Sequence, residues 1–258
     1  MKKTVLITGA SGGIGYVLAY RFAEAGYRLV LVARSSDKLQ QLARELKDTY
    51  RASCMTVTKD LGVESEIAAL HKELLEQEIE VDVLVNNAGF GLYGEFVETD
   101  LEQELNMIDL NVCSLTMLTK LFVPAMVRKG TGGVLNVASV AAFQPGPLMA
   151  VYYATKAYVL SFSEALENEL KGTGVTVTAL CPGPTQTGFS DRANLGTSKL
   201  FKSGAMDVRK VADIGYNGFL QGKSVVIPGA QYRLLTLLIR FMPRKLVTSI
   251  VRSIQGKA

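Results

Sequence analysis

The sequence of 258 residues has few of the side chains that bind metal ions or form disulfides. It contains one histidine, three cysteines and no tryptophan. Cys54, Cys113 and Cys181 lie in apolar or strand-like surroundings without metal-like spacing, so we expect small, buried free thiols in a reducing compartment. His71 lies on a predicted helix, where a solvated position suits it best. We therefore predict no metal site and no disulfide framework.

Strong charge and long hydrophobic runs are also missing. The formal net charge is +4 and charged residues make up 20% of the chain, which is too weak a balance to indicate nucleic-acid binding. The apolar run at residues 5–7 is too short for the core of a signal peptide, and we identify no run long enough to span a bilayer. We expect a cytoplasmic protein that binds no nucleic acid.

Apolar strands alternate with helical patterns along most of the chain. We predict strands over residues 4–8, 28–33, 53–58, 81–85, 132–139, 175–180 and 224–227. We predict helices over residues 16–26, 36–48, 64–78, 100–129, 151–171 and 207–220. This alternation predicts one α/β domain: a doubly wound, Rossmann-like, seven-stranded parallel sheet with helices on both faces. Such sheets bind ligands at the carboxyl ends of their strands.

A glycine-rich turn, TGASGGIG, follows the first strand at residues 8–15. Glycines let the backbone approach a phosphate closely, and the amides of the next helix attract it. Arg34 stands at the end of the second strand without the acid typical of NAD sites, and it suits a 2′-phosphate, with Ser35 and Ser36 able to assist. We predict a dinucleotide site that prefers NADP(H). A tight connection without a ligand, and a solvated arginine, are the alternatives.

A Tyr152-x-x-x-Lys156 pair lies on the predicted helix 151–171, and Ser139 precedes the tyrosine by thirteen residues. The i, i+4 spacing places the phenol beside the ammonium, which favours the phenolate and lowers the tyrosine pKa. A serine hydroxyl can hold a carbonyl or alcohol oxygen beside this phenol. Roughly 0.6 such Tyr-Lys pairs are expected by chance in a chain of this composition, so the pair gains weight only from other motifs.

These motifs in their order resemble the short-chain dehydrogenase/reductase superfamily, in its compact branch of about 250 residues. The resemblance covers about residues 4–230 and also includes NNAG at residues 86–89. It implies a catalytic tetrad. Tyr152 would exchange the proton, Lys156 would lower its pKa and hold the nicotinamide ribose, Ser139 would orient the substrate oxygen, and Asn111 would help hold a water chain to Lys156.

The resemblance also implies which residues bind the cofactor. Asp60 would lie near the adenine and Thr187 near the nicotinamide amide, while Thr185 stands where relatives often have Val or Ile. The full predicted set is Gly9, Ser11, Gly13, Ile14, Gly15, Arg34, Asp60, Leu61, Asn87, Ala88, Gly89, Tyr152, Lys156, Pro182, Gly183, Thr185 and Thr187.

Substrate recognition is implied for residues 188–206, a loop whose composition suits a mobile lid. The candidate pocket residues, each of which could equally pack the core, are Phe90, Phe143, Gln144, Met149 and Phe189. We divide the chain into a Rossmann-fold catalytic domain over residues 1–230 and a basic, amphipathic, helical extension of the same domain over 231–258.

That extension contains no acid, and Pro243 separates two short amphipathic helices. Their apolar faces could cover the substrate pocket or a subunit interface, which we favour, or lie on an anionic membrane. The resemblance implies a homodimer or homotetramer. We predict an NADPH-dependent oxidoreductase of apolar ketones or aldehydes that is reversible as an alcohol dehydrogenase. A 3-oxoacyl reductase of fatty-acid type and a non-catalytic NADP-sensing protein are the alternatives.

Overall fold

A computed structural model describes residues 2–189, 193 and 204–256. Its strands are β1 Thr4–Thr8, β2 Arg28–Ala33, β3 Cys54–Thr58, β4 Val83–Asn86, β5 Gly132–Val137, β6 Val175–Leu180 and β7 Val225–Val226. Its α-helices are α1 Gly13–Glu24, α2 Ser36–Tyr50, α3 Glu64–Glu76, α4 Leu101–Ile108, α5 Leu115–Lys129, α6 Ala150–Glu169, α7 Val208–Leu220, α8 Ala230–Ile239 and α9 Arg244–Gln255. A π-helix, Asp109–Ser114, joins α4 to α5, and a 3₁₀-helix spans Val140–Phe143.

The seven strands form one parallel sheet in the order β3-β2-β1-β4-β5-β6-β7. Leu6 of β1 lies opposite Val30 of β2 and Leu84 of β4. The strand order therefore reverses beside β1, which is where doubly wound sheets open a crevice at the carboxyl ends of their strands. This confirms the predicted fold class.

Alternation along the strands supplies a core on both faces of the sheet. Val5 and Ile7 pack with Phe22 of α1, whereas Leu6 packs on the opposite face with Phe122 of α5. Successive strand residues point to opposite faces, so an unbroken apolar run such as Thr4–Thr8 is buried on both sides. Helices α2 and α3 each contribute one buried apolar stripe at i, i+3 and i+7 spacing, formed by Leu39, Leu42 and Leu46 and by Ile67, Leu70 and Leu74.

The long helical region predicted over residues 100–129 is not uniform. Asp100 caps its start by accepting a hydrogen bond from the Gln103 amide (2.9 Å), and the π-helix widens it at residues 109–114. Leu101–Lys129 meets the length and composition of a membrane-spanning helix, contrary to the sequence expectation. Its residues Phe122 and Met126 are buried against the sheet, so its apolar character serves the core.

Two expectations about single side chains were wrong. Cys113 is exposed, because it lies in the π-helix away from the sheet, whereas Cys181 is buried and Cys54 is partly buried. His71 is partly buried with its ring centroid 5.3 Å from that of Phe122, and this burial lowers its pKa. The helical pattern located both residues correctly, but it did not show how far neighbouring elements would cover each of them.

Candidate active site

The glycine turn wraps around the Asn87 side chain. Gly9 has a φ of +64°, and a Cβ there would lie 2.8 Å from Asn87 Nδ2. A Cβ at Gly15 would clash with the same atom. Asn87 Nδ2 donates to the carbonyl oxygens of Thr8 (2.9 Å) and Gly9 (3.2 Å). Gly9 and Gly15 therefore permit a side chain from the end of β4 to brace the turn.

Thr8 completes this brace, and the sequence motifs did not single it out. Its hydroxyl accepts hydrogen bonds from the amides of Asn87 (2.9 Å) and Ala88 (3.0 Å) and donates to the Val85 carbonyl (3.2 Å). The carboxyl ends of β1 and β4 are thereby joined. Threonine is common in strands, so no local signal marked this role.

A cavity of about 1070 Å³ opens at the carboxyl ends of the strands. Every predicted cofactor residue except Gly15 lines it, as do Gly12, Ser35, Lys38 and Lys59. A Cβ at Gly12 would meet no atom within 4 Å, so the turn leaves open space toward the cavity. The volume reaches the upper end of the roughly 300–1,000 Å³ typical of small-molecule sites, which suits an elongated ligand.

One end of the cavity is basic. Arg34 lies there with 71% of its side chain exposed, and its Nη1 is 3.7 Å from Asp60 Oδ2. Lys38 and Lys59 also contribute to the lining. Asp60 is the single acid among the described lining residues, so positive charge prevails at this end. The Asp60 carboxylate also accepts a hydrogen bond from the Gly62 amide (3.0 Å).

The opposite end contains Ser139, Tyr152 and Lys156. Ser139 follows β5 and caps the 3₁₀-helix by accepting from the Ala141 amide (3.1 Å). Tyr152 and Lys156 lie one turn apart on α6 and are only 8% and 6% exposed. Lys156 Nζ lies 5.8 Å from the centroid of the Tyr152 ring and donates to the Val137 carbonyl (2.9 Å).

Burial dominates the electrostatics of this pair. Loss of solvation raises the pKa of Tyr152, and a hydrogen bond with Ser139 offsets that rise only in part. Burial also lowers the pKa of Lys156 to about 8. The expectation that Lys156 would bring the Tyr152 pKa below its ordinary value was therefore wrong. Desolvation outweighs the attraction because both groups are enclosed by the fold.

Asn111 lies on the π-helix and holds the loop that follows β4. Its Nδ2 donates to the Phe90 carbonyl (2.9 Å) and to the Thr155 hydroxyl (3.1 Å), and its Oδ1 accepts from the Phe90 amide (3.1 Å). A Cβ on Gly89 would lie 2.8 Å from Asn111 Oδ1 and 3.6 Å from Lys156 Nζ. Asn111 thus lies behind the cavity wall, next to Lys156, and Thr155 is a partner that sequence reasoning missed.

The wall beside Tyr152 is apolar. Phe90, Met149 and Phe189 line the cavity as predicted, and the rings of Phe189 and Tyr152 lie 5.4 Å apart. Phe143 and Gln144 were predicted wrongly, because neither lines the cavity. The 3₁₀-helix places Phe143 against the separate cluster around buried Ala142, while Gln144 follows with an extended backbone and a buried Oε1. Most of the predicted lid, residues 188–206, lies outside the described residues.

Comparison with known proteins agrees with this geometry. A family model described as short chain dehydrogenase matches residues 3–197. The chain belongs to this family. It is similar to sulfoacetaldehyde reductase 2 of Chromohalobacter salexigens, with 38% identity over 192 residues that cover 74% of this chain and 75% of that protein.

Solved structures show the same relationship. The chain is similar to a short-chain dehydrogenase from Sphingobium yanoikuyae in complex with NADPH, with a TM-score of 0.84, 36% identity and coverage of 93% of this chain and 94% of that one. It is also similar to a short-chain dehydrogenase/reductase from Burkholderia phymatum in complex with NAD, with a TM-score of 0.83, 25% identity and 92% coverage of both chains.

The residues of this short-chain dehydrogenase fit a nicotinamide dinucleotide. The turn is open at Gly12, the cavity reaches from Arg34 to Tyr152, and Thr187 lies against Gly13 (3.4 Å from a Cβ built there). Among the described residues, no group of three or more His, Cys, Asp or Glu side chains could hold a metal ion. As a member of the short-chain dehydrogenase family, the chain is an oxidoreductase of a family that uses nicotinamide cofactors.

The last helix, α9, packs behind the apolar end of the site. Its buried residues Val247 and Val251 belong to the cluster that contains Tyr152 and Tyr153. Gln255, 1% exposed, donates from Nε2 to the Tyr153 hydroxyl, and its carbonyl accepts from the Tyr93 hydroxyl (2.7 Å). Sequence reasoning did not assign this role to Gln255. Its i+4 spacing from Val251 was the available signal.

Proposed function

We propose that this protein is an NADPH-dependent reductase of apolar ketones or aldehydes, which also oxidises the corresponding alcohols. One observation carries the proposal. Ser139 and Tyr152 meet at the apolar end of a cavity whose far end is basic and whose middle is shaped by the glycine turn. This arrangement supports proton transfer at one end and recognition of a phosphorylated nucleotide along the rest.

Tyr152 is the general acid for reduction. Its phenol is protonated at neutral pH and can donate a proton to the carbonyl oxygen. Because burial raises the pKa of Tyr152, this transfer depends on stabilisation of the resulting phenolate. Ser139 holds the same carbonyl oxygen through its hydroxyl. A bound nicotinamide cofactor supplies the hydride for the carbonyl carbon. Lys156, one helical turn away, is largely an ammonium at neutral pH with its pKa near 8, and it stabilises the phenolate that forms.

The preference for NADPH rests on Arg34. Its guanidinium is exposed at the cavity rim directly after β2, with Lys38 nearby in the lining. A 2′-phosphate would replace the 3.7 Å contact with Asp60 by charge-assisted hydrogen bonds, which contribute about 1.5–3 kcal/mol each. The relatives with NADPH and with NAD show that the family accommodates both cofactors, so the basic rim is what favours NADPH here.

The preference for apolar carbonyl compounds rests on Phe90, Met149 and Phe189. Lys156 is the only charged side chain among the described residues at that end, and it is already bonded to Val137. A sulfonated aldehyde, for which the Chromohalobacter relative is named, would place an anion against this apolar wall. Burying such a charge without a partner is costly.

The decisive assay follows NADPH consumption with aromatic ketones, diketones, steroids, sulfoacetaldehyde and 3-oxoacyl thioesters. Tyr152→Phe should lose about 10²–10⁴-fold in kcat because it removes the general acid. Tyr158→Phe on the same helix is the matched control, since its partly exposed hydroxyl contacts Thr116 instead. Binding of NADPH without turnover of any compound would favour the sensing alternative, and selective turnover of acyl thioesters would favour the 3-oxoacyl reductase.

Cofactor preference is tested separately with Arg34→Leu. The substitution should weaken NADPH binding by about 10–100-fold and leave NADH binding nearly unchanged. Arg44→Leu on α2 serves as the control, because it removes the same charge at a position outside the cavity lining. Equal losses for both cofactors would contradict the assignment of Arg34 to the 2′-phosphate.

A further inference from the structure

The outer sides of α8, α9 and their connection carry a concentration of large apolar side chains in solvent. We call this set the C-terminal apolar surface. Its members are Leu234, Leu235, Leu237, Leu238, Phe241, Leu246, Ile250 and Ile254, which are 39–80% exposed. Single exposed apolar residues are ordinary, whereas eight within 21 consecutive positions indicate an interaction surface.

Helical periodicity shows that this surface is distinct from the stripe of α9 that packs toward Tyr152 and Tyr153. Leu234, Leu238 and Phe241 follow i, i+4, i+7 spacing, which places them on one side of α8 and its extension. On α9, Leu246 and Ile250 precede the buried pair Val247 and Val251 by one position each, so they lie about 100° around the helix. The inner stripe of α9 packs on the site and the adjacent stripe remains uncovered.

The charge around the apolar surface is mainly positive, although Arg252 on α9 forms an ion pair with Glu95. No acid follows Asp213 in the sequence, whereas the residues 233–252 contain five arginines or lysines. Arg240, Arg244 and Lys245 are exposed, and all three lie at or next to the break between α8 and α9. Basic residues beside exposed leucines are typical of helices that lie on anionic lipid surfaces.

We propose that the C-terminal apolar surface docks this protein onto an anionic lipid bilayer. The helices α8 and α9 have 10 and 12 residues. At 1.5 Å per residue they are about 15 and 18 Å long, well short of the roughly 30 Å hydrocarbon core, so they lie along the interface and do not cross it. A second copy of the chain is a weaker occupant, because a two-fold contact would bring the same basic residues together.

Docking in this manner leaves the catalytic machinery intact. Val247, Val251 and Gln255 keep their contacts with the site while the outer residues enter the lipid interface. The active site would then lie directly behind the membrane-bound helix. This proposal does not depend on the reaction proposed above, since it rests on exposure and charge alone.

Vesicle sedimentation of the full-length protein tests the proposal. Vesicles of phosphatidylcholine with about 30% phosphatidylserine should pellet the wild type, and phosphatidylcholine alone should pellet much less, because anionic lipid attracts the basic residues. A Leu238→Ser/Phe241→Ser variant should bind at least about ten-fold more weakly through its lost apolar contact. An Arg240→Gln/Arg244→Gln variant should lose about 25-fold at low salt, roughly five-fold per charge.

Leu75→Ser on α3 is the matched control, because Leu75 is 62% exposed but lies outside the C-terminal apolar surface. It should bind vesicles like the wild type. NADPH titration of every variant verifies that the fold is retained. Equal recovery of the wild type with and without vesicles would overturn the proposal. A second outcome would also overturn it: the wild type does not bind vesicles, and light scattering shows a lower oligomer mass for Leu238→Ser/Phe241→Ser than for the wild type. The C-terminal apolar surface would then be a protein interface.

Discussion

The buried ammonium of Lys156 should reduce the stability of the protein at neutral pH. Burial lowers its pKa from 10.5 to about 8, so the folded state binds this proton less tightly than the unfolded state does. Between these two values the unfolded state holds more protons, and stability should therefore rise with pH. The two pKa values correspond to a penalty of about 3 kcal/mol at pH 7 and about 1 kcal/mol at pH 9.5.

Lys156→Met removes the titrating group and keeps an unbranched side chain of similar length. The free energy of unfolding of the variant minus that of the wild type should therefore fall by about 2 kcal/mol between pH 7 and pH 9.5. The variant also loses the hydrogen bond to Val137, which changes its free energy of unfolding by the same amount at pH 7 and at pH 9.5. The change of the difference with pH is therefore unaffected. Cys181 and Tyr152 also lie beside Lys156, but their raised pKa values keep both protonated in the folded protein over this range.

Urea unfolding at pH 7, 8.5 and 9.5 measures this difference directly. Lys72→Met is the control, since Lys72 has a side chain that is 76% exposed and should show no trend with pH. A difference for Lys156→Met that stays constant across the range would refute the argument. It would mean that the Lys156 ammonium is solvated or paired well enough to keep its ordinary pKa.

Three further predictions follow from other parts of the structure. Gly15→Ala should lower the melting temperature, because its Cβ would clash with Asn87, whereas Gly12→Ala should melt like the wild type and weaken only NADPH binding. Thermal unfolding and NADPH titration separate the two variants, and equal melting temperatures would contradict the packing argument. Gln255→Leu should destabilise the protein by about 1–3 kcal/mol in urea unfolding, because the buried Tyr153 hydroxyl loses its hydrogen-bond partner. The same variant should raise KM for the carbonyl substrate and leave the Kd for NADPH unchanged, and an unchanged KM would show that α9 does not shape the pocket. In the native protein, exposed Cys113 should react with a thiol reagent far faster than buried Cys181, which gives a fast phase of labelling. Cys113→Ser should remove this fast phase, and its persistence would assign it to Cys54 instead.

The sequence by itself determined the fold class and the main positions of the site. In an unbroken apolar run such as residues 28–33, all side chains are shielded from water only when the strand is covered on both faces. The alternation of such runs with helices leads to a parallel sheet. The glycine turn, Ser139 and the Tyr152–Lys156 pair are short patterns, and each lies at the carboxyl end of a strand or on the helix beside one. Once the topology was correct, their convergence at one edge of the sheet followed.

Only the tertiary structure decided the environment of those residues. The direction of the Tyr152 pKa shift depends on burial by elements distant in sequence, including α9, and no local pattern reports it. Phe143 was assigned wrongly for the same reason: its aromatic side chain suited an apolar pocket, but contacts with distant elements place its ring in a separate cluster. The bonds from Asn111 to Phe90 and Thr155 likewise join three separate segments. Periodicity specifies which side of an element is apolar, whereas contacts between distant elements determine what covers that side and how strongly a buried charge is desolvated.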